Sequence, residues 1–135
     1  MTDAYYELLD AADPRGEKFG ATDLVRGTWS AQIQHAAPVS ALLVRALERV
    51  APRDDTRLSR VSIDLLGPVP AEGALWVRGQ VDRAGKQIEL VSAEMLAPGP
   101  DQLPRPVARA SGWRLQTLDT GDLQHASAPP LRPVS

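Results

Sequence analysis

The chain contains no cysteine, two histidines and a single phenylalanine among its 135 residues. The lack of cysteine excludes disulfide bonds, a thiol nucleophile and thiolate-bound metal. No apolar run approaches the ~20 residues that a membrane-spanning helix needs, and the first residues lack the basic and apolar regions of a signal peptide. Acidic and basic residues are interspersed and the net charge is −2, so nothing forms the basic patch that nucleic acid requires. We therefore expect a cytoplasmic protein with neither a membrane span nor a nucleic-acid partner.

The clearest predicted element is a helix over residues 37–51. Apolar side chains recur at positions 39, 42, 43, 46, 47 and 50, which is the spacing of a helix with one buried face. Pro38 suits the first turn, where its missing N–H costs nothing. Pro52 follows the last apolar position and ends the pattern. Such a helix cannot stand alone and must pack against a sheet.

Four segments after the helix are predicted to be strands: 57–70 (ending at its prolines), 74–82, 86–97 and 107–117. In the first of them Val61 and Ile63 point to one face and Asp64 points to the other. A tight turn that ends at Gly85 makes the middle two a hairpin.

The pattern before the helix is weaker. Residues 4–9 fit either a short helix or a first strand, 10–20 read as a loop, and 20–33 read as an extended segment with a bend or bulge at Gly27. The simplest architecture is α+β, with one curved antiparallel sheet of about five or six strands around one long central helix. We expect a single domain over 1–118 and a loose, proline-rich tail over 119–135. Edge-to-edge pairing of two copies would cover the exposed sheet edges.

Four segments carry a family resemblance: WSAQIQHAAPVSALLVRALE, RLSRVSIDLLGPVP, LWVRGQVDRAGKQIELVSAEML and VARASGWRLQ. In that order they resemble the N-terminal half of TesB-like acyl-CoA thioesterases, which are hotdog-fold proteins of the thioesterase-like superfamily. The resemblance covers roughly residues 20–118. It includes Trp29, the Ala-Leu-Glu near the helix end, the strand with Arg60 and Asp64, and the turn that begins at Arg83.

The resemblance implies a fatty acyl thioester as substrate or ligand, with acyl-CoA in that role rather than as a resident cofactor. The family usually has Gly-Gly where Ala36 and Ala37 stand, and these alanines add two methyl groups at the expected thioester position. Family members usually join two hotdog halves in one chain, whereas this sequence holds one. It is therefore expected to form a homodimer or higher oligomer, or to pair with a second hotdog subunit.

Candidate site residues gather at the start of the helix. No Ser, Thr, Asp or Asn stands at the expected N-cap, so free N–H groups could hold a thioester carbonyl. Gln34 or His35 could orient a water molecule or that carbonyl, against the simpler reading that they belong to a polar loop or cap helix N–H groups by another geometry. Asp64 is a further catalytic candidate, against the simpler reading of a solvated strand residue.

Substrate-binding candidates are Trp29, Ala36, Ala37 and Val39, with the acyl chain along the helix. Two distant histidines without a carboxylate at ligand spacing argue against a metal site.

Three functions are compatible with these features. The first is hydrolysis of acyl-CoA thioesters. The second is an inactive hotdog protein that binds acyl groups or supports a catalytic subunit. The lack of an acid in the first helical turn favours this second function. The third, a hydratase, ranks last because it needs an Asp and a His about five residues apart before the helix, and no such pair occurs.

Overall fold

The structure is a computed structural model that describes residues 3–133. Its elements are β1 (Tyr6–Asp10), β2 (Glu17–Ala21), a 3-10 helix (Asp23–Val25), α1 (Ala36–Arg49), β3 (Thr56–Leu65), β4 (Ala74–Arg83), β5 (Ile88–Pro98), β6 (Pro104–Gln116) and a second 3-10 helix (Gly121–Leu123). Residues 1–2 of the predicted domain and 134–135 of the predicted tail lie outside the described residues, and 119–133 are exposed throughout. The domain boundary at 118 stays a prediction.

The helix α1 starts one residue before the predicted 37 and ends two before the predicted 51. Its buried residues are Pro38, Val39, Leu42, Leu43, Ala46 and Leu47. The Val50 N–H still bonds to the Ala46 carbonyl at 3.1 Å, but Ala51 adopts a left-handed φ of 41°. Helical backbone is disfavoured immediately before a proline, so Pro52 ends the helix as the sequence predicts.

All six strands form one antiparallel sheet in the order β1-β2-β4-β5-β6-β3. One face packs on α1, and its core residues include Leu75, Val77, Val91, Met95 and Ala108. The strands curve around the helix, which confirms the predicted α+β arrangement. Because β1 and β3 stand at the ends of this order, they are the two edges of the sheet.

The four strands predicted after the helix are confirmed as β3 to β6, with shifted ends. The strand β6 begins at Pro104, three residues earlier than predicted. Residues 104–106 pair with β5, whereas pairing with β3 begins only at Ala108. Pro104 and Pro106 are tolerated there because that stretch of β6 is an unpaired edge.

The predictions before the helix are partly wrong. Residues 17–20, predicted to be loop, belong to β2, which pairs with both β1 and β4. The extended reading of 20–33 fails at the 3-10 helix Asp23–Val25. Residues 4–9, left open between helix and strand, contain β1. Among residues 3–133, no helix is long and apolar enough to cross a membrane.

Candidate functional site

The N-terminus of α1 presents two backbone N–H groups, those of Ala36 and Ala37, with no hydrogen-bond partner in the described part of the chain. The N-cap residue, His35, is extended (φ −76°, ψ 160°), and its side chain makes no capping hydrogen bond. Pro38, which follows Ala37, has no N–H to offer. Both alanines are exposed. An oxygen that carries negative charge would be stabilised here by the two donors and by the positive end of the helix dipole.

Gln34 is buried, at 7% exposure, and hydrogen bonds tie its side chain and backbone to other segments of the chain. Its Oε1 accepts a hydrogen bond from the Tyr6 hydroxyl at 2.5 Å, and its Nε2 donates to the Pro70 carbonyl at 2.8 Å. Its backbone N–H donates to the Val69 carbonyl, also at 2.8 Å. Gln34 thus joins β1, the loop before β4 and the helix N-terminus. We call these three residues, Tyr6, Gln34 and Pro70, the glutamine latch.

His35 lies beside the latch with a freer side chain. Its backbone N–H donates to the Val25 carbonyl at 2.9 Å, which holds the residue in place. Its ring packs edge-on against Tyr5, with 6.0 Å between centroids. Neither ring nitrogen hydrogen-bonds to another residue within 3–133, and the side chain is half-buried. Both ring nitrogens are therefore available to a water molecule or a ligand.

Two further candidates, Trp29 and Val39, differ in exposure. The indole of Trp29 is 95% exposed, in the loop that leads to α1, so it is available to a ligand or partner. Val39 is 1% exposed and packs in the core. A ligand could therefore reach Val39 only if the neighbouring core side chains moved.

Asp64 is separated from the other candidates by the sheet. It is exposed on the face opposite α1, where it lines a trough of about 520 Å³ with Arg78, Glu94, Arg109 and Ser111. Asp64 stands directly opposite Arg109 in the pairing of β3 with β6. The structure brings Gln34, His35, Ala36 and Ala37 together and leaves Asp64 outside that group.

Two carboxylates near the helix N-terminus are bound by Arg26. The Arg26 side chain bonds to Asp23 at 3.0 Å and to Glu72 at 2.9 Å, and these carboxylates, Glu72 most strongly, raise the pKa of Arg26. The backbone of Arg26 forms a bridge with Gln34. Sequence reasoning missed Tyr6, Arg26 and Glu72 as neighbours of the site because Tyr6 bonds to Gln34 across 28 residues and Arg26 bonds to Glu72 across 46. Within the described ranges, no group of three or more His, Asp or Glu side chains could hold a metal ion.

The opposite end of α1 carries a concave region of about 430 Å³, here called the arginine pocket. It is lined by Glu48, Arg53, Thr56, Arg57, Leu58 and Arg114. Arg114 is 3% exposed and forms an ion pair with Glu89, which is 6% exposed. Arg114 also donates to the Val50 carbonyl at the helix C-terminus, at 3.0 Å. Arg53 approaches the same Glu89 carboxylate at 3.6 Å.

Residues 25–115 match the family of acyl-CoA thioesterase N-terminal domains. This chain belongs to that family. The acyl-CoA thioesterase N-terminal match covers α1, β3, β4, β5 and nearly all of β6, together with the segment that carries Gln34 and His35. Among proteins of curated function, none is similar enough to count as a match.

Solved structures of other proteins share the fold. The Escherichia coli PaaI protein, from the phenylacetic acid degradation operon, is 21% identical, with a TM-score of 0.58 over 75% of this chain and 72% of that one. The BH2602 protein of Bacillus halodurans, solved with CoA, is 20% identical, with a TM-score of 0.57 over 73% and 64%. The smu.793 protein of Streptococcus mutans, bound to acetyl-CoA, is 13% identical, with a TM-score of 0.61 over 87% and 92%. At these identities the likeness establishes the fold alone, and it confirms the hotdog architecture for this acyl-CoA thioesterase family member.

Proposed function

We propose that this protein hydrolyses fatty acyl-CoA thioesters as a TesB-like enzyme, at the N-terminus of α1. The observation that carries the proposal is the pair of N–H groups on the exposed residues Ala36 and Ala37, which have no hydrogen-bond partner among residues 3–133, in a chain of the acyl-CoA thioesterase N-terminal family. Preorganised N–H donors stabilise the oxyanion that forms when a thioester carbonyl is attacked. Both alanines are exposed, so we expect a carbonyl oxygen to approach the two donors despite the alanine methyl groups.

In the proposed reaction the carbonyl oxygen accepts hydrogen bonds from Ala36 and Ala37. His35 takes a proton from a water molecule, whose oxygen bonds to the carbonyl carbon. The carbon–sulfur bond then breaks, and the proton passes to the departing thiolate, so the products are a carboxylic acid and free CoA thiol. Gln34 acts as a positioning residue, because both ends of its amide are engaged in the glutamine latch. We expect the exposed indole of Trp29, in the loop that leads to α1, to cover bound substrate.

The proposed enzyme is a dimer paired through β3. This strand is a ten-residue edge that pairs with β6 on one side, and Leu65 at its end is 53% exposed. A two-fold axis would pair two copies of β3 antiparallel and continue the sheet across both. Light scattering should give twice the chain mass of 14.6 kDa, whereas a monomer at assay concentration would contradict edge pairing.

The decisive experiment combines a thiol-release assay over acyl-CoA chain lengths with the substitution Ala36→Pro. Proline is well tolerated at the first helical position, and His35 already has the extended backbone that a residue before proline adopts. The substitution removes one donor, so kcat should fall about 100- to 1,000-fold. Ala36→Ser keeps the N–H and should retain activity. If Ala36→Pro hydrolyses acyl-CoA like the unaltered protein, the carbonyl is held elsewhere.

His35→Gln tests the proposed base separately. A positioned general base contributes about 100- to 10,000-fold, so kcat should fall within that range while the affinity for substrate changes little. Unchanged turnover would remove His35 from the reaction.

A second candidate function is acyl-CoA binding without hydrolysis, either alone or as the support of a catalytic hotdog subunit. The first turn of α1 contains no acid, and the nearby carboxylates of Asp23 and Glu72 are engaged by Arg26. These features would leave a bound thioester without a carboxylate to attack it. CoA binding together with no thiol release at any chain length would favour this second function.

A further inference from the structure

The outer face of the sheet, which points away from α1, carries an apolar cluster near one end. On β6 the side chain of Arg114 is buried on the α1 side, so its neighbours Trp113 and Leu115 point outward. The pairing of β5 with β6 sets Leu90 against Trp113 and Ile88 against Leu115. Ile88 is 42% exposed and Leu115 40%, while Leu90 and Trp113 are half-buried. These four side chains stand together on a surface that the hydrophobic core does not use.

Four cations flank this cluster on both sides. All are exposed, and none forms an ion pair within the described part of the chain: Arg57, Arg60, Arg83 and Lys86. Arg57 and Arg60 stand on β3, next to the part of β6 that carries the cluster. Arg83 stands on β4, opposite Leu90, and Lys86 follows in the β4–β5 turn. The apolar cluster and these four cations are here called the outer patch.

The unpaired state of these arginines is unusual for this chain. Among residues 3–116, every arginine outside the outer patch lies within 4.0 Å of a carboxylate. Asp82, next to Arg83 in the chain, accepts a hydrogen bond from Gln80 at 2.7 Å instead of pairing with that arginine. A chain with a net charge of −2 thus concentrates unpaired positive charge around exposed apolar side chains. Apolar patches with polar rims mark interaction sites, and Trp and Arg are enriched among the residues that dominate protein interfaces.

The position of the outer patch restricts the shape of its partner. The strands β4, β5 and β6 are each paired on both sides, so no further strand can be added at Leu90 or Trp113. A helix laid across the face remains, because helices pack on the apolar face of a sheet. A lipid surface fits less well, since the apolar side chains are shorter than the arginines around them and could not pass a layer of headgroups.

We propose that the outer patch binds an acidic amphipathic helix of a partner protein. The apolar stripe of that helix packs on Trp113 and Leu115, and Asp or Glu residues beside the stripe pair with the arginines on either side. This interaction is separate from the proposed hydrolysis, because the patch lies on the face opposite α1. Pairing of two β3 edges would leave the patch open, since it extends the sheet sideways.

Fluorescence anisotropy of labelled peptides, titrated with the full chain, tests the proposal. The probe is a designed helical peptide with leucines at positions i, i+3, i+4 and i+7 and glutamates on both flanks. One comparison peptide has lysines in place of the glutamates, and the other has alanines in place of the leucines. The acidic leucine peptide should bind saturably, and both comparison peptides should bind at least about tenfold more weakly. Added salt should weaken the binding because it screens the charges.

Two matched pairs of variants locate the peptide. Arg60→Glu should weaken binding about tenfold because it replaces an attraction by a repulsion. Lys18→Glu makes the same charge change at an unpaired lysine of β2, outside the patch, and should bind like the unaltered protein. Leu115→Ala should weaken binding about fivefold through lost apolar contact. Leu118→Ala removes a 76% exposed side chain just beyond the patch and should have no effect.

Four results would overturn the proposal. The first is no saturation by the acidic leucine peptide up to ~1 mM. The second is equal weakening by Arg60→Glu and Lys18→Glu, which would mean that net charge alone attracts the peptide. The third is equal binding of the alanine peptide, which would exclude the apolar contact. The fourth is sedimentation of the chain with anionic lipid vesicles but no binding of the peptide, which would assign the patch to a membrane surface. None of these measurements depends on thiol release, so the proposed function is tested separately.

Discussion

Removing the hydroxyl of Tyr6 should destabilise the fold through the glutamine latch. In Tyr6→Phe the ring keeps its edge-on contact with Phe19, at 6.4 Å between centroids, but the Gln34 Oε1 loses its partner at 2.5 Å. Because Gln34 is 7% exposed, water cannot readily replace the lost donor. A buried acceptor left unsatisfied costs about 1–3 kcal/mol, so we expect a loss of about 2 kcal/mol.

The measurement is urea unfolding followed by circular dichroism. The midpoint should fall while the m-value stays constant, because the folded state loses an interaction without a change in the surface that unfolding exposes. Tyr5→Phe is the control: its hydroxyl makes no hydrogen bond among the described residues, and the change should stay within about 0.5 kcal/mol. Equal midpoints for the two variants would refute the idea that the latch holds the helix N-terminus in place.

Two other predictions concern buried groups. Burial raises the pKa of Tyr6 well above its ordinary 10.0. The unfolded chain therefore releases the Tyr6 proton at a lower pH than the folded protein does. The contribution of neutral Tyr6 to stability is thus complete below about pH 10 and is lost as the pH rises further. In a Tyr5→Phe background, tyrosinate absorbance should therefore appear together with unfolding, and ionisation of the folded protein near pH 10 would contradict this. Arg114→Met should lower the free energy of unfolding by about 3–5 kcal/mol because it leaves the buried carboxylate of Glu89 without its main partner. Adding Glu89→Leu should restore part of that loss, and a further loss in the double variant would show that Glu89 is satisfied by other groups.

The parts of the fold that sequence could predict are those where each segment contains its own pattern. The apolar spacing of α1 and the alternation of β3 and β4 are local, so these elements are confirmed with ends shifted by a few residues. The strand β2 was missed because its five residues contain one large apolar side chain, Phe19. Pairing with β1 and β4 on its two sides makes it a strand, and that pairing is tertiary.

Some features of the candidate site could likewise be predicted from local sequence, and others could not. The exposed, uncapped start of α1 follows from the residue types at 35–38, and the outward direction of Asp64 follows from strand alternation. The burial of Gln34 could not be predicted, because it depends on a hydrogen bond to Tyr6, 28 residues away in sequence. The arginine pocket likewise brings together residues from α1, β3 and β6 that no sequence spacing connects.

The exposure of Trp29 has a practical consequence. The three tryptophans differ in environment: Trp29 is 95% exposed and Trp76 5%, while Trp113 is half-buried. Soluble quenchers such as iodide collide with an exposed indole and not with a buried one. Fluorescence that iodide quenches therefore comes mainly from Trp29, in the loop that leads to α1. The protein thus contains its own optical reporter of whatever covers that loop, without any attached dye.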